Sequence, residues 1–326
     1  MRSHPLGGHA DDPRRRAHEL PDDRLSAPDV AGRRQDGPQA ENTTSGTTIQ
    51  SAGGTRQSPD SDAQTPATAS PPDAGAAADT PTMPTAMRCL IEAYPDHLCG
   101  GDSTQLRWCN GDTMAWDDGK TQASHQERLE HADLADQMSQ RYKAGAEYDI
   151  PPPRDHDPGR LRHSPLFFAM YGDSRARVRA TITTIRWLPG SVNRKLRVTT
   201  VNGVDRKLAQ ISREIEALPR RIRAYAESTS GPFYWRMIKG TERPSMHSFA
   251  IALDIGLDGN ADTWRWNKPD ADGNPVYKNR IPLEIVAIFE KHGFIWGGKW
   301  YHFDTPHFEY RPELLHPDCA GGTPGP

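Results

Sequence analysis

Two imidazoles and two carboxylates in this chain have the residue types and the spacing of a hydrolytic site. His247 and Asp254 form a His-x6-Asp pair, and Asp304 and His307 form an Asp-x2-His pair further along the chain. A hydrolytic zinc site usually has three nitrogen or carboxylate ligands and a water molecule in the fourth position. His247, Asp254 and His307 satisfy that count, and they leave Asp304 to act as a general base. The pattern predicts a metal-dependent hydrolase.

The residues around Asp254 and His307 indicate which elements must position them. Residues 249–255 alternate between large apolar side chains and small or polar ones, which is typical of a strand with one buried face. An ionised carboxylate in such an apolar strand is costly unless a cation lies beside it. Pro306 disfavours a regular helix around Asp304 and His307, because it lacks a backbone donor and pushes the preceding residue toward extended geometry. We expect this second pair on a turn that leads into a strand.

Each of these residues also has an ordinary structural explanation. A single histidine at a strand edge is more often hydrogen-bonded within the fold than bound to a metal, and Asp304 before Thr305-Pro306 could simply turn the chain. Ser245 is expected to hydrogen-bond its own turn, since no base is paired with it at any visible spacing. His302 could line the cleft. The joint occurrence of both motifs in an apolar frame nevertheless favours the metal site.

A family resemblance rests on three motifs: Ser245-x-His247-x-x-Ala250-x-Ala252-x-Asp254, Trp296-Gly297-Gly298-Lys299-Trp300 and Asp304-x-x-His307-Phe308. In these motifs the chain resembles the M15 zinc peptidases, the D-alanyl-D-alanine carboxypeptidases and L-alanyl-D-glutamate endopeptidases that cut peptidoglycan stems. The resemblance is specific around the motifs and extends more loosely from about Leu90 to Leu315. It implies one zinc ion per chain, bound by His247, Asp254 and His307. It also implies that Asp304 is the general base acting on a metal-activated water.

The resemblance raises a question at one motif position and adds an expectation about arginines. Where the family usually has Gly, this chain has Ala250, so either the backbone has a φ that Ala tolerates or the strand is slightly displaced. The resemblance implies an arginine on a strand ahead of the histidine motif, which favours Arg236 as the group that stabilises the charged intermediate. Arg243, which is closer to His247, is a candidate for binding substrate. A surface or salt-bridged position is the alternative for both arginines.

The function that the resemblance implies is hydrolysis of peptide bonds in peptidoglycan stem peptides. A carboxypeptidase that removes a terminal D-Ala and an endopeptidase that cuts inside the stem need the same catalytic atoms, so both types stay open. The alternative is a non-catalytic peptidoglycan-binding protein that keeps the fold. Ala250 supports that alternative, whereas Asp304 argues against it. The 40 basic and 43 acidic side chains leave a formal net charge of −3, so we expect no nucleic-acid partner. The oligomeric state stays open.

The fold class that follows is α+β. We expect a mostly antiparallel sheet that carries the metal site, with helices packed outside it, as in Hedgehog/DD-peptidase-like domains. Residues 1–85 are rich in Pro, Ser, Thr, Ala, Gly and Asp and are expected to form a disordered tail. We then predict an accessory region packed on the enzyme over 86–160, an M15-like peptidase domain over 161–318 and a short tail over 319–326.

Local patterns predict the elements between the motifs. The residues around 166–171 form an apolar run that leaves helix and strand open. The remaining expectations are strands over 178–188, 196–201, 233–238 and 294–296, an amphipathic helix over 205–218, a helix between Pro282 and Gly293, and a loop over 258–280 that forms a substrate wall.

The four cysteines and the beginning of the chain bear on its compartment. Four cysteines allow two disulfides in three pairings, and the short loop makes Cys99 and Cys109 the expected partners. Free thiols are the alternative, because the compartment decides. The function predicts the cell envelope, the periplasm or secretion, although Met1 to about Arg34 is polar and contains no secretory apolar core. No run approaches the roughly 18 apolar residues of a membrane span.

Overall fold

The computed structural model describes residues 82–320 of the chain. The tail predicted over 1–85 therefore lies outside the described residues up to position 81, as do the last six residues of the tail predicted over 319–326. Within the described residues, no helix has the length and apolar character that crossing a membrane requires.

Helices and strands alternate irregularly along the described residues. The α-helices are Thr85–Ala93 (α1), His125–His131 (α2), Leu134–Gln137 (α3), Ser164–Tyr171 (α4), Arg175–Ala180 (α5), Val204–Glu216 (α6), Arg220–Arg223 (α7) and Leu283–Lys291 (α8). The strands are Leu98–Gly101 (β1), Gln105–Trp108 (β2), Thr113–Ala115 (β3), Ile182–Trp187 (β4), Arg194–Thr199 (β5), Thr229–Ser230 (β6), Ala252–Ile255 (β7), Phe294–Trp296 (β8) and His307–Tyr310 (β9).

The strands form three antiparallel sheets. Their orders are β1-β2-β3, β4-β5 and β6-β7-β9-β8. The mixture of helices and antiparallel sheets confirms the predicted α+β class. The four-stranded sheet carries the candidate site, because β7 and β9 are its two central strands.

The register between β7 and β9 decides which side chains meet. Asp254 lies opposite His307, and Ala252 lies opposite Glu309. Because alternate residues of a strand share a face, all four side chains lie on the same side of the sheet. Ala252 has no side-chain bulk beyond its Cβ, so the longer Glu309 fits on this face.

Two helices predicted from the sequence are confirmed. In α6 the buried residues Leu208, Ile211 and Ile215 recur at helical spacing on one face. Helix α8 follows Pro282 directly, and Gly293, with φ +87°, comes shortly after its end. Both helices bury their apolar faces in the main hydrophobic core.

Two of the predicted strand regions begin or end differently from the prediction. The region 178–188 starts as helix α5, because Ser174 caps it by accepting a hydrogen bond from the backbone N–H of Arg177, and β4 begins only at Ile182. The region 196–201 is β5 up to Thr199, and a 3₁₀ turn then covers Val201–Gly203. The apolar run around 166–171 is helix α4.

The strand predicted over 233–238 is wrong. This segment is extended but makes only one isolated bridge, between Met237 and Pro244. Its other backbone hydrogen bonds involve Arg243, Ser245 and the 3₁₀ turn that carries His247, and this short partner segment does not form a regular ladder. The Tyr234 N–H donates to the His247 carbonyl at 3.0 Å, and the Arg236 N–H donates to the Ser248 hydroxyl at 2.9 Å.

Residues predicted in the accessory region share a core with later parts of the chain. Leu90, Leu106 and Tyr142 belong to the same buried cluster as Phe294 and Trp296. The cysteines pair as Cys99–Cys109, which the short loop predicted, and as Cys89–Cys319. The second disulfide attaches the end of the described chain to α1.

Candidate metal centre

The turn before β7 positions His247. Met246–Phe249 forms a 3₁₀ helix, which ends at Ala250 in the left-handed region with φ +59°. The strand predicted to begin at residue 249 therefore begins only at Ala252, because the left-handed residue reverses the chain first. Of the two explanations for Ala in place of Gly, a φ that Ala tolerates is therefore wrong, because the left-handed region is unfavourable for Ala, whereas the strand start is displaced. The tight turn points His247 back along β7 toward Asp254.

Asp254 lies between the two histidines. Its Oδ1 atom is 3.0 Å from Nδ1 of His307 and 3.3 Å from Nε2 of His247. One donor atom from each of these three residues lies within 4.8 Å of the others. Two ligand atoms that are about 2.0–2.2 Å from a tetrahedral zinc ion are roughly 3.3–3.6 Å apart, which is close to the two distances from Asp254. The three predicted ligands are therefore brought together as a nitrogen, nitrogen and oxygen set that suits zinc.

A buried carboxylate orients His307. The second ring nitrogen of His307, Nε2, lies 3.0 Å from Oε2 of Glu309, which is fully buried. Glu309 in turn accepts hydrogen bonds from Arg162 and Arg311. This arrangement leaves Nδ1 of His307 to face Asp254. A carboxylate on the outer nitrogen of a histidine is the usual way in which proteins fix a ligand's tautomer and orientation.

In the metal-free protein, the contacts within the cluster favour the charged forms of Asp254 and His307. Burial would raise the pKa of Asp254, but the charges and hydrogen bonds of His247 and His307 hold it well below its usual range. Burial would lower the pKa of His307, but its hydrogen bonds to Asp254 and Glu309 raise it to about 9. A cation is thus held beside Asp254 even without a metal, and a divalent ion would replace that proton.

Asp304 approaches the cluster from the turn before β9. Its N–H donates to the Gly297 carbonyl at 2.9 Å, and its own carbonyl accepts from the His307 N–H at 3.1 Å. Burial raises the pKa of the Asp304 carboxyl group, and the negative charge of Asp254 acts in the same direction. Asp304 is therefore a carboxylate with increased basicity beside the three candidate ligands.

The two predicted arginines lie in different surroundings. Arg236 is exposed, and its guanidinium carbon lies 5.9 Å from the centroid of the Tyr234 ring. Arg243 is half-buried, and its Nε donates to Oε1 of Glu130 at 3.2 Å. The ion pair with Glu130 is the salt-bridged position that was the alternative for Arg243.

Arg160 is the arginine that the sequence reasoning missed. Its guanidinium carbon lies 4.6 Å from the centroid of the Trp300 ring, and its Nη2 donates to the His302 carbonyl at 2.9 Å. The Nε atom is buried and has no hydrogen-bond partner among the described residues. The charge of Arg160 acts on Asp304, whose pKa it lowers. No local pattern could have revealed this, because Arg160 and Asp304 are far apart in the chain.

A cavity of about 340 Å³ adjoins the Asp304 turn, and we call it the Trp264 cavity. It is lined, among others, by Arg154, Asp155, Trp264, Arg265, Tyr301 and His302. The backbone N–H of Trp264 donates to the Phe303 carbonyl at 2.9 Å, which links Trp264 to the turn. Several lining residues come from the loop predicted to form a substrate wall. That loop therefore borders a cavity next to the candidate site.

Comparisons with known proteins point to the same residues. A family model described as D-alanyl-D-alanine carboxypeptidase matches residues 239–310. Over 69 residues the chain is 38% identical to the peptidoglycan L-alanyl-D-glutamate endopeptidase CwlK of Bacillus subtilis (strain 168). That alignment covers 21% of this chain and 40% of the relative. No solved structure matches the chain. Both His/Asp motifs fall inside the matched range and their side chains meet at one point, so the comparisons support the M15 resemblance of residues 239–310 that the motifs predict.

Proposed function

We propose that this protein is a zinc-dependent peptidase that hydrolyses peptide bonds in peptidoglycan stem peptides. The observation that carries the proposal is the meeting of His247, Asp254 and His307 within 4.8 Å of one another, with Asp304 beside them. These three residues would bind one zinc ion. Such an ion supplies a Lewis acid and lowers the pKa of water toward 7.

Asp304 is proposed to be the general base. It accepts a proton from the water that attacks the scissile carbonyl and later returns that proton to the leaving amine. Its raised pKa supports this role, because a stronger base takes a proton from water more readily. Asp304 also lies three residues before His307, so one turn positions both the base and a ligand.

Three arginines are candidates for stabilising negative charge or binding substrate. Arg236 keeps its predicted role in this proposal, since its backbone is hydrogen-bonded to Ser248 at 2.9 Å and 2.7 Å while its side chain reaches into solvent. Arg243 keeps its predicted role in substrate binding. Arg160 is added because its charge acts on Asp304. A fixed guanidinium near the developing oxyanion stabilises the transition state.

The substrate class rests on the family and on the Trp264 cavity. The matching family model and the Bacillus relative are both described by activities on D-alanyl or peptidoglycan peptides. Arg154 and Arg265 place two positive charges at the cavity, which suits a peptide that carries free carboxylates. Trp264 adds an aromatic surface for contact with the substrate. The cavity supports the peptidoglycan proposal but leaves the carboxypeptidase and endopeptidase types open.

The compartment and the finer fold class are part of the same proposal. We infer an envelope, periplasmic or secreted location, which the two disulfides support, because disulfides persist in oxidising compartments. The antiparallel sheet that carries the candidate ligands between helices supports the Hedgehog/DD-peptidase-like class.

The test is digestion of purified muropeptides followed by mass spectrometry. We expect the full-length protein to release fragments, a chelator to stop the reaction and added zinc to restore it. Loss of a terminal alanine would identify a carboxypeptidase, whereas cleavage between L-Ala and D-Glu would identify an endopeptidase. Intact muropeptides with the zinc-loaded protein would refute the proposed activity.

A variant separates catalysis from mere binding. Asp304→Asn should lower kcat/KM by about 10²–10⁴-fold, which is the usual contribution of a general base. The matched control is Asp173→Asn, because Asp173 is exposed and pairs with Arg177 in the neighbouring helix, away from the candidate site. If the protein is the non-catalytic alternative, the parent, Asp304→Asn and the control will all bind muropeptide. None of the three proteins will cleave it.

A further inference from the structure

A second cluster of metal-binding residue types lies outside the candidate zinc site. His125 is the first residue of α2, Asp155 lies in the loop before α4, and His302 lies just before Asp304. One donor atom from each of His125, Asp155 and His302 lies within 4.8 Å of the others. The three residues come from distant parts of the chain. None of them belongs to the set formed by His247, Asp254 and His307.

A buried carboxylate faces both imidazoles of this cluster. The Oδ2 atom of Asp157 lies 2.7 Å from Nδ1 of His302 and 3.3 Å from Nε2 of His125. Its Oδ1 atom accepts a hydrogen bond from the His302 N–H at 2.8 Å. The two rings are stacked, with centroids 5.5 Å apart and planes at 20°. Each ring therefore presents one nitrogen to Asp157 and has the other left for a ligand, as in carboxylate-oriented metal sites.

The nitrogens of the His125 ring lack hydrogen-bond partners in the part of the chain that the structure describes. Both of its nitrogens are buried, and neither has a hydrogen-bond partner among the described residues. A buried polar atom without a partner is rare and calls for a water molecule, a ligand or an ion. The contact of Nε2 with Asp157 at 3.3 Å is an ion-pair distance, and it leaves Nδ1 unpaired. The orphaned nitrogen lies in the same cluster as Asp155 and His302.

We propose that His125, Asp155 and His302 form a second site for a divalent cation of the zinc class. Two imidazoles and one carboxylate suit zinc, whereas calcium and magnesium prefer oxygen ligands alone. The ion joins α2, the Asp155 loop and the turn that leads to Asp304. It thereby fixes the wall of the Trp264 cavity, which Asp155 and His302 both line. This inference is independent of the catalytic proposal, because it concerns a structural site with separate ligands.

The experiment is a metal titration of the full-length protein. The protein is stripped with a chelator and titrated with Zn²⁺, and bound metal is counted by mass spectrometry after buffer exchange. We expect two equivalents in the parent, one in His125→Asn and one in His247→Asn. His292→Asn is the matched control, because His292 pairs with Glu214 at 2.7 Å outside both clusters, and it should bind two.

Asp155→Asn provides a second test if His125→Asn does not fold, which circular dichroism would show. Its affinity for the second equivalent should fall by at least about tenfold, since even outer partners of metal ligands contribute that much. The second site would be overturned if the parent bound one equivalent of zinc and both His125→Asn and Asp155→Asn still bound that equivalent. The second site would be supported if His247→Asn still bound one equivalent of zinc that His125→Asn did not bind. This result would hold even if the protein cleaved no peptide.

Discussion

The Nε2 atom of His307 lies 3.0 Å from Oε2 of Glu309, two residues further along the same strand. Residues at this spacing share a face of the sheet, so the strand itself aims the carboxylate at the ring. Glu309 also accepts hydrogen bonds from Arg162 and Arg311. The orientation of a candidate zinc ligand is thus connected to two buried cations, and this relationship can be tested.

Glu309→Gln is expected to weaken zinc binding by about 10–100-fold, because the ring of His307 loses its charged partner. The variant should also lower the melting temperature, since Arg162 and Arg311 lose a buried counter-charge. Zinc affinity is measured by competition with a chromophoric chelator. Glu284→Gln on the exposed face of α8 is the control, and equal zinc affinity in both variants would contradict the role of Glu309.

Ala250→Gly is expected to stabilise the protein by up to about 1 kcal/mol. A non-glycine residue in the left-handed region costs about 1–2 kcal/mol, and glycine recovers most of this but loses part of it to the greater freedom of the unfolded chain. The φ of Ala250 is +59°. Chemical denaturation with zinc present measures the difference. A clear loss of stability would show that the Ala250 methyl group contributes more through packing than it costs in strain.

The metal-free protein should lose stability as the pH rises through about 9. The pKa of His307 is raised from 6.5 to about 9 in the folded state, so its contribution is fully present below pH 6.5 and is lost as pH rises through 9. Melting temperatures of chelator-treated protein between pH 6 and pH 10 measure this. His307→Gln should show a smaller decline, and identical pH profiles for the two proteins would count against the raised pKa.

Arg160→Met is expected to shift the acidic limb of the kcat/KM profile to higher pH, by up to about one pH unit. The charge of Arg160 lowers the pKa of Asp304, so its removal makes the base protonate at a higher pH. The pH dependence of muropeptide cleavage measures the shift. Arg175→Met, an exposed substitution on α5, should leave the profile in place. An unshifted limb in Arg160→Met would remove Arg160 from the site.

Replacing Cys89 and Cys319 with Ser should destabilise the protein more than replacing Cys99 and Cys109. The first pair closes a segment with a sequence separation of 230 and the second a segment of 10, and a cross-link restricts the unfolded chain more when its loop is longer. The expected costs lie on the order of 2–5 kcal/mol. Denaturation of the two double variants compares them directly, and a larger loss in the Cys99/Cys109 variant would reject the loop-length argument.

Local patterns in the sequence predicted the elements whose conformation depends on near neighbours. The amphipathic spacing of α6 and the Pro282 and Gly293 boundaries of α8 were sufficient, because each depends on residues within a few turns of chain. The strand predicted over 233–238 failed for a related reason. Its residue types suit a strand, but its neighbour in space is the short segment 243–248, which ends in a 3₁₀ turn that cannot continue a ladder.

The sequence alone specifies which donor atoms are available: two imidazoles and two carboxylates in motifs that resemble those of the M15 peptidases, with a proline that places the second pair on a turn. The surroundings of these donor atoms depend on the tertiary fold. The pairing of Glu309 with Arg162, the effect of the Arg160 charge on the pKa of Asp304 and the meeting of His125 with His302 all involve residues that are distant in the chain. Such contacts result from packing the whole core around one register of β7 and β9, and no local spacing encodes that register.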